Sequence, residues 1–153
     1  MSEFTSKDFA KVPAQLTARL PERLIHRQVA LAAADADFSA ERRHPVHLVN
    51  LPAKTLSVTL GGIAPAQRTG RHRHNYETIL YVTKGRGRTV IEDCVIDWEM
   101  GDAVYIPVWA WHHHENRSAT ESCAYLACEN APLLQNLGSI ALREEENAEG
   151  ATR

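Results

Sequence analysis

Five of the eight histidines in this 153-residue chain stand at two places: His72 and His74 in "GRHRHNYETILYVTKG", and His112, His113 and His114 in "PVWAWHHHEN". Along a β-strand, residues two apart share a face, so His72 and His74 can present two imidazole nitrogens to one ion. A third ring must come from a neighbouring strand. His112 is the best placed, because it opens a strand after Pro107, with Trp109 and Trp111 beside it to wall a pocket. His114 has the same parity and is either a fourth ligand or a group behind the ligands, whereas His113 points the other way. Three neutral imidazoles suit Fe, Zn, Cu or Ni; Mg and Ca would call for carboxylates.

An ion held by neutral rings keeps its double positive charge and favours an anionic, bidentate guest. Open coordination positions would let substrate and a second reactant meet on the metal, turning a collision into an intramolecular step. The segment "QRTGRHRH" supplies Arg68, Arg71 and Arg73, with no acid between residues 62 and 74. Arg73 has outward parity, which leaves Arg68 or Arg71 as the carboxylate clamp unless both belong to a solvated loop. Thr78 faces the ligands by parity and offers a hydroxyl. Tyr76, Trp109 and Trp111 either line the pocket or pack as ordinary aromatics. Glu115, Asn116 and Tyr105 can orient imidazoles from behind.

Strands must position these side chains. "KTLSVTLGG" alternates Leu56, Val58 and Leu60 with Thr55, Ser57 and Thr59, the signature of a sheet with one wet face. "TILYVTK", "RTVIED", "CVIDWEM", "DAVYIP" and "ESCAYLACE" follow, most of them bounded by Gly, Pro, Asp or Asn, and many short strands at close spacing imply an antiparallel barrel or sandwich. Before them, "LPERLIHRQVALAAADADF" places Ile25, Val29 and Ala32 at helical spacing, and "ERRHP" reads as a solvated connector. After them, "APLLQNLGSIAL" sets Leu133, Leu137 and Ile140 at helical spacing, a stripe expected to pack on the core. The final "REEENAEGATR" reads as a frayed tail. The expected division is therefore a partly helical extension over 1–45, a barrel with a C-terminal helix over 46–143, and a flexible tail over 144–153.

A hydrophobic content of 44% and a length of 153 residues suit one domain able to bury roughly two thirds of its unfolded surface. The net charge of -2 lacks the basic footprint of a nucleic-acid binder. No apolar run reaches membrane-spanning length and the N-terminus is too polar for a secretory signal, so no membrane partner and a cytoplasmic location are expected. Cys94, Cys123 and Cys128 form no C-x-x-C pair and should be free, mostly buried thiols. Exposed barrel edges and the C-terminal apolar stripe suggest a homodimer.

The histidines also carry a resemblance. The spacing Gly101, Pro107, His112 and Asn116 resembles the second motif of the cupin superfamily, with Trp109 where a glycine is usual. His72, His74 and Gly85 resemble the first motif, with Ala66 in place of its leading glycine. The first motif's glutamate position falls on Thr78, and the nearby Glu77 has the wrong parity unless a bulge re-aims it, which leaves a three-histidine ligand set. That set, with the tryptophan-rich segment before His112 and His114, is similar to gentisate dioxygenases and their single-cupin relatives, which use Fe(II) and O2 on substrates that chelate the metal.

The resemblance implies an all-β fold, a double-stranded β-helix or cupin jelly-roll barrel, with one divalent metal per chain on His72, His74 and His112. Iron(II) is the first expectation, with Zn, Mn, Ni or Cu as alternatives. It implies a role in acid-base or orienting work for His114 and a small chelating substrate with O2 as partners; of the two arginines that could clamp an anion, Arg71 is the expected catalytic one and Arg68 the expected pocket-lining one. Two rivals stand beside the dioxygenase: a non-oxidative metal-dependent isomerase, lyase or decarboxylase, and a non-catalytic cupin that binds a small molecule or metal.

Overall fold

Short strands of alternating burial assemble into two five-stranded antiparallel sheets in the computed structural model, which describes residue 18 and residues 20–146. In chain order the strands are β1 (Val46–Leu48), β2 (Ser57–Ile63), β3 (His72–His74), β4 (Thr78–Lys84), β5 (Arg86–Ile91), β6 (Cys94–Glu99), β7 (Ala103–Ile106), β8 (His112–Asn116), β9 (Cys123–Glu129) and β10 (Arg143–Glu145). One sheet runs β1-β2-β9-β4-β7 and the other β10-β3-β8-β5-β6. From β2 onward the chain crosses between the sheets at every step except the β5–β6 hairpin, so the fold is the expected all-β, double-stranded barrel.

The barrel interior divides lengthwise. Ile63, Val82, Trp98 and Cys123 fill one end with apolar side chains. At the other end β2, β4 and β9 turn Thr59, Thr78 and Glu129 inward, and β3 and β8 add four histidines, around a cavity. Trp98 reaches so far across β5 that a Cβ on Gly87 would overlap its ring and the Glu115 carbonyl. Only glycine fits there.

Several expectations are corrected. In β2 the inward residues are Thr59, Gly61 and Ile63, and Leu56 is 49% exposed, so the face that hydropathy selects is the outer one. Alternation reports that a strand has two faces; it does not say which face the opposite sheet covers. The stretch around Ile25, Val29 and Ala32 is no helix beyond a single 3-10 turn at Val29–Leu31. Leu20, Leu24 and Leu31 are 66–80% exposed, and a short helix is marginal without a surface to bury its face. A helix forms later instead, as α1 (Ala36–Arg42), where the Asp35 carboxylate accepts the Phe38 amide hydrogen at 3.0 Å and caps it.

At the other terminus, α2 (Ala131–Asn136) stops before Gly138, whose φ of 79° a helix cannot hold, and leaves Leu137 and Ile140 more than 70% exposed rather than packed on the core. The stretch expected to fray begins as β10, paired antiparallel with β3, so the expected boundary at residue 144 falls inside a strand. The rest of the expected tail, 147–153, lies outside the described residues. The three cysteines are free, but only Cys123 is buried; Cys94 is exposed and Cys128 half-buried. Among the described residues no helix is long and apolar enough to cross a membrane.

Candidate metal centre

β3 and β8 lie side by side with His72 opposite His112, and the parity of each strand turns His72, His74 and His112 inward. One nitrogen from each of the three rings lies within 4.8 Å of the other two. All three are buried. Their other nitrogens are spoken for: Nδ1 of His72 donates to the Gly70 carbonyl (2.9 Å), that of His74 to the Tyr76 carbonyl (2.7 Å), and that of His112 to the Ala110 carbonyl (2.9 Å). A carbonyl can only accept, so each ring carries its hydrogen on Nδ1 and turns the Nε2 lone pair toward the other two.

The electrostatics agree with the tautomers. Burial, assisted by the neighbouring His112, pulls His74 down to about 3, and burial pulls His112 down to about 4. His72 is depressed further, by burial and then by Arg143 and His112. All three rings are neutral at physiological pH. Three lone pairs converging in a buried space, with no hydrogen among them, repel one another unless a cation lies between them, and this donor set fits one divalent transition metal. The orienting carbonyls are what a metal-binding imidazole needs behind it. Glu77 is exposed and bonded to the Tyr105 hydroxyl and Asn130, so it stays outside the donor set.

His114, the next inward residue of β8, is oriented differently. Its Nδ1 lies 2.9 Å from the Thr89 hydroxyl, which accepts the indole hydrogen of Trp98, also at 2.9 Å. Among the described residues the hydroxyl's own hydrogen has no acceptor other than Nδ1, so it points there, and the imidazole carries its hydrogen on Nε2. Where the triad offers three acceptors, His114 offers a donor. Its ring centroid is 5.6 Å from that of His112.

Thr78 lines the cavity as expected from its parity. Tyr76 is buried with its ring stacked on His74 at 4.0 Å, supporting that ligand from behind rather than facing the cavity. The structure does not bring Arg68, Arg71, Trp109 or Trp111 into the cavity. Arg71 is on the barrel exterior, paired with Glu146 at 2.6 Å and Glu92 at 3.7 Å. Arg73 lies between Trp109 and Trp111, 4.5 Å from each ring. Arg68 pairs with Glu115 through the backbone, in an isolated antiparallel β-bridge, and borders an outer groove. These residues belong to loops and outer faces, where carboxylates and aromatic faces satisfy the guanidinium groups of Arg71 and Arg73. His113 points outward to Glu115, and Asn116 fastens the loop after β8 by donating to the Ile63 and Glu121 carbonyls.

The cavity instead recruits residues from both ends of the chain. Arg42 and His44, in the segment expected to be a solvated connector, line it, as do Tyr125 and Glu129 from β9 and Arg143 from β10. Arg43 takes a left-handed conformation (φ 57°) that ends α1 and swings His44 inward. Arg143 is held by Glu145, whereas the Arg42 Nε is buried without a partner among the described residues. Glu129 had a readable signal, since it shares parity with the buried Cys123, Tyr125 and Ala127. Arg42, His44 and Arg143 had none, because they sit in charged runs that look solvated.

Fold and centre together define a barrel with a candidate metal site. The family described as Cupin domain matches residues 60–128, fewer than half of the chain's 153, and the barrel has the cupin fold. It is 35% identical over 85 residues to a 5-aminosalicylate 1,2-dioxygenase from Comamonas sp., and 30% identical over 86 residues to a 1-hydroxy-2-naphthoate 1,2-dioxygenase from Nocardioides sp. (strain KP7). These alignments take in 55% and 56% of this chain but only 22% of each relative. A salicylate 1,2-dioxygenase from Pseudoaminobacter salicylatoxidans, crystallised with gentisate, shares the fold with a TM-score of 0.61 at 18% identity, over 68% of this chain and 29% of that one.

Proposed function

We propose that this protein is an iron(II)-dependent dioxygenase acting with O2 on a small aromatic or dicarbonyl compound that chelates the metal and carries negative charge. The observation that carries the reading is the convergence of three neutral imidazole lone pairs, on His72, His74 and His112, in a cavity that also receives Arg42 and Arg143. The names of the relatives support the substrate class, since aminosalicylate, hydroxynaphthoate and salicylate each set a hydroxyl beside a carboxylate on a ring. Iron(II) at this centre would supply Lewis acidity toward the chelate and electrons toward oxygen.

The chain's own residues do the rest. The triad would hold the ion with lone pairs aimed before binding, so no ring needs to reorient. His114 would donate its Nε2 hydrogen to oxygen-centred charge beside the metal. Arg42, whose Nε has no partner among the described residues, would take the carboxylate, with Arg143 as a second positive charge. The exposed Ile79, Tyr81 and Tyr105 on the outer face of the first sheet support a homodimer, which sedimentation would test.

The direct test is elemental analysis after native purification, followed by oxygen uptake by iron-loaded protein over salicylates, gentisates, catechols and diketones. Uptake matched to substrate loss is the expected result. Turnover that persists unchanged without oxygen would move the protein to the isomerase, lyase or decarboxylase reading, and tight binding with no turnover to the non-catalytic one. Arg42→Met should weaken binding of a carboxylated ligand about 10- to 100-fold, the scale of one charge-assisted contact, while metal content stays unchanged.

A further inference from the structure

A hydrogen-bonded pair that the metal reading does not use lies in the same cavity. Tyr125, buried on β9, and His44, from the segment before β1, are 81 residues apart, with the Tyr125 hydroxyl 2.9 Å from His44 Nε2. The direction of this bond is fixed. His44 Nδ1 donates to the Arg42 carbonyl at 2.8 Å, so Nε2 must accept and the phenol must donate. A Cβ on Gly61 would lie 2.8 Å from the Tyr125 ring, so glycine there is what lets the ring lie close against β2. The Tyr125 ring lines the cavity with the triad, 5.7 Å from that of His114, which is 5.6 Å from that of His112.

A divalent cation acidifies a phenolic hydroxyl bound to it and favours loss of its hydrogen, and the cavity offers few places for that hydrogen. The triad's Nε2 atoms would face the ion, and the His114 Nε2 already bears a hydrogen. Glu129, the cavity's carboxylate, sits two inward positions beyond Tyr125 on β9, beside Thr78 at 3.5 Å. Resting on the chelation reading above, we propose that Tyr125 and His44 form a relay that accepts the proton shed by a chelating hydroxyl.

The ligand O–H bond breaks and its electron pair stays on the ligand oxygen. The hydrogen passes to Tyr125 Oη as the Tyr125 hydrogen passes to His44 Nε2. Tyr125 ends as a neutral phenol and His44 as an imidazolium whose two N–H groups face Tyr125 and the Arg42 carbonyl. Charge is conserved inside the cavity, with a new anion on the ligand and a new cation on His44. The groups facing His44 are Tyr125 and His114 on β9 and β8, Arg42 at the end of α1, and Arg143 on β10. Burial, aided by Arg42 and Arg143, keeps the resting His44 neutral, and burial holds the Tyr125 phenol well above its usual range, so it conducts the proton without becoming the anion.

The test is calorimetric titration of salicylate into zinc-loaded protein, which cannot turn over oxidatively, near pH 7.5 in buffers of different ionisation enthalpy. This counts the protons released to solvent as the phenolic hydroxyl binds. Wild type should release close to none, and both Tyr125→Phe and His44→Gln about one per site, with zinc content unchanged. Equal counts in wild type and in the folded variants would overturn the relay while leaving the chelation reading intact. If wild type binds no salicylate, both fall. If one variant fails to fold, the other decides.

Discussion

The two faces of β3 carry the same kind of sequence and opposite outcomes. Inward, His72 and His74 are buried, fixed by carbonyls and neutral, and their lone pairs meet that of His112. Outward, Arg73 lies between two tryptophans and is paired with Glu144 at 2.7 Å, and Arg71, just before the strand, is paired with Glu146. Burial accounts for the difference. A buried ring sheds its charge and becomes a ligand, whereas a guanidinium keeps its charge and must stay where carboxylates and water can meet it. A basic residue beside a metal site is thus no guide to what the site binds.

The largest effect that would sharpen this contrast is on metal content. His112→Ala should fall from about one metal per chain to near none, because two imidazoles hold an ion far less well than three, while Arg73→Ala on the neighbouring face should keep its full complement. Mass spectrometry of the purified variants measures both. Full metal in His112→Ala would remove it from the donor set.

Acid should separate the faces next. In metal-free protein the folded values for His112 and His74, about 4 and about 3, lie below the ordinary 6.5 of the unfolded chain. Between those values the unfolded state binds more protons, so stability rises with pH and is lost as pH falls from 6.5 toward 4 and then 3, at roughly 1.4 kcal/mol for each unit of difference. The outer ion pairs are exposed and should add little over that range. Melting curves of chelator-treated protein at pH 5 and pH 7.5 read the loss, and equal stability at the two would show that the rings are not held neutral.

A smaller effect tests the orientation of the fourth histidine. Thr89→Val removes the hydroxyl between Trp98 Nε1 and His114 Nδ1 and should cost about 1–3 kcal/mol in urea denaturation, with metal retained. An unchanged midpoint would mean that the hydroxyl does not hold the ring. The smallest effect belongs outside: Trp109 has a φ of 64°, and Trp109→Gly trades relief of that strain against its stacking on Arg73, for a net change within about 1 kcal/mol and no change in metal. Loss of metal in that variant would join the two faces that the comparison holds apart.

Much of this was legible in the chain itself. Parity is a local property of a strand, so the positions of His72, His74 and His112 already put three imidazoles on inner faces, set Glu77 on the opposite face unless a bulge re-aimed it, and turned His113 away. The strand pattern implied an antiparallel barrel or sandwich, and the resemblance of the two motifs to the cupin superfamily implied which one. Residues on loops and in adjoining segments obey no such rule: Arg42 and His44 enter the cavity because one residue, Arg43, turns left-handed after α1, and Arg143 because β10 pairs with β3 across 69 residues of sequence. For β2 even parity was insufficient, since which face is covered depends on the opposite sheet. The sequence determined what converges within neighbouring strands; the long-range pairing of chain ends with the barrel decided what surrounds it, because such contacts join segments that share no local pattern.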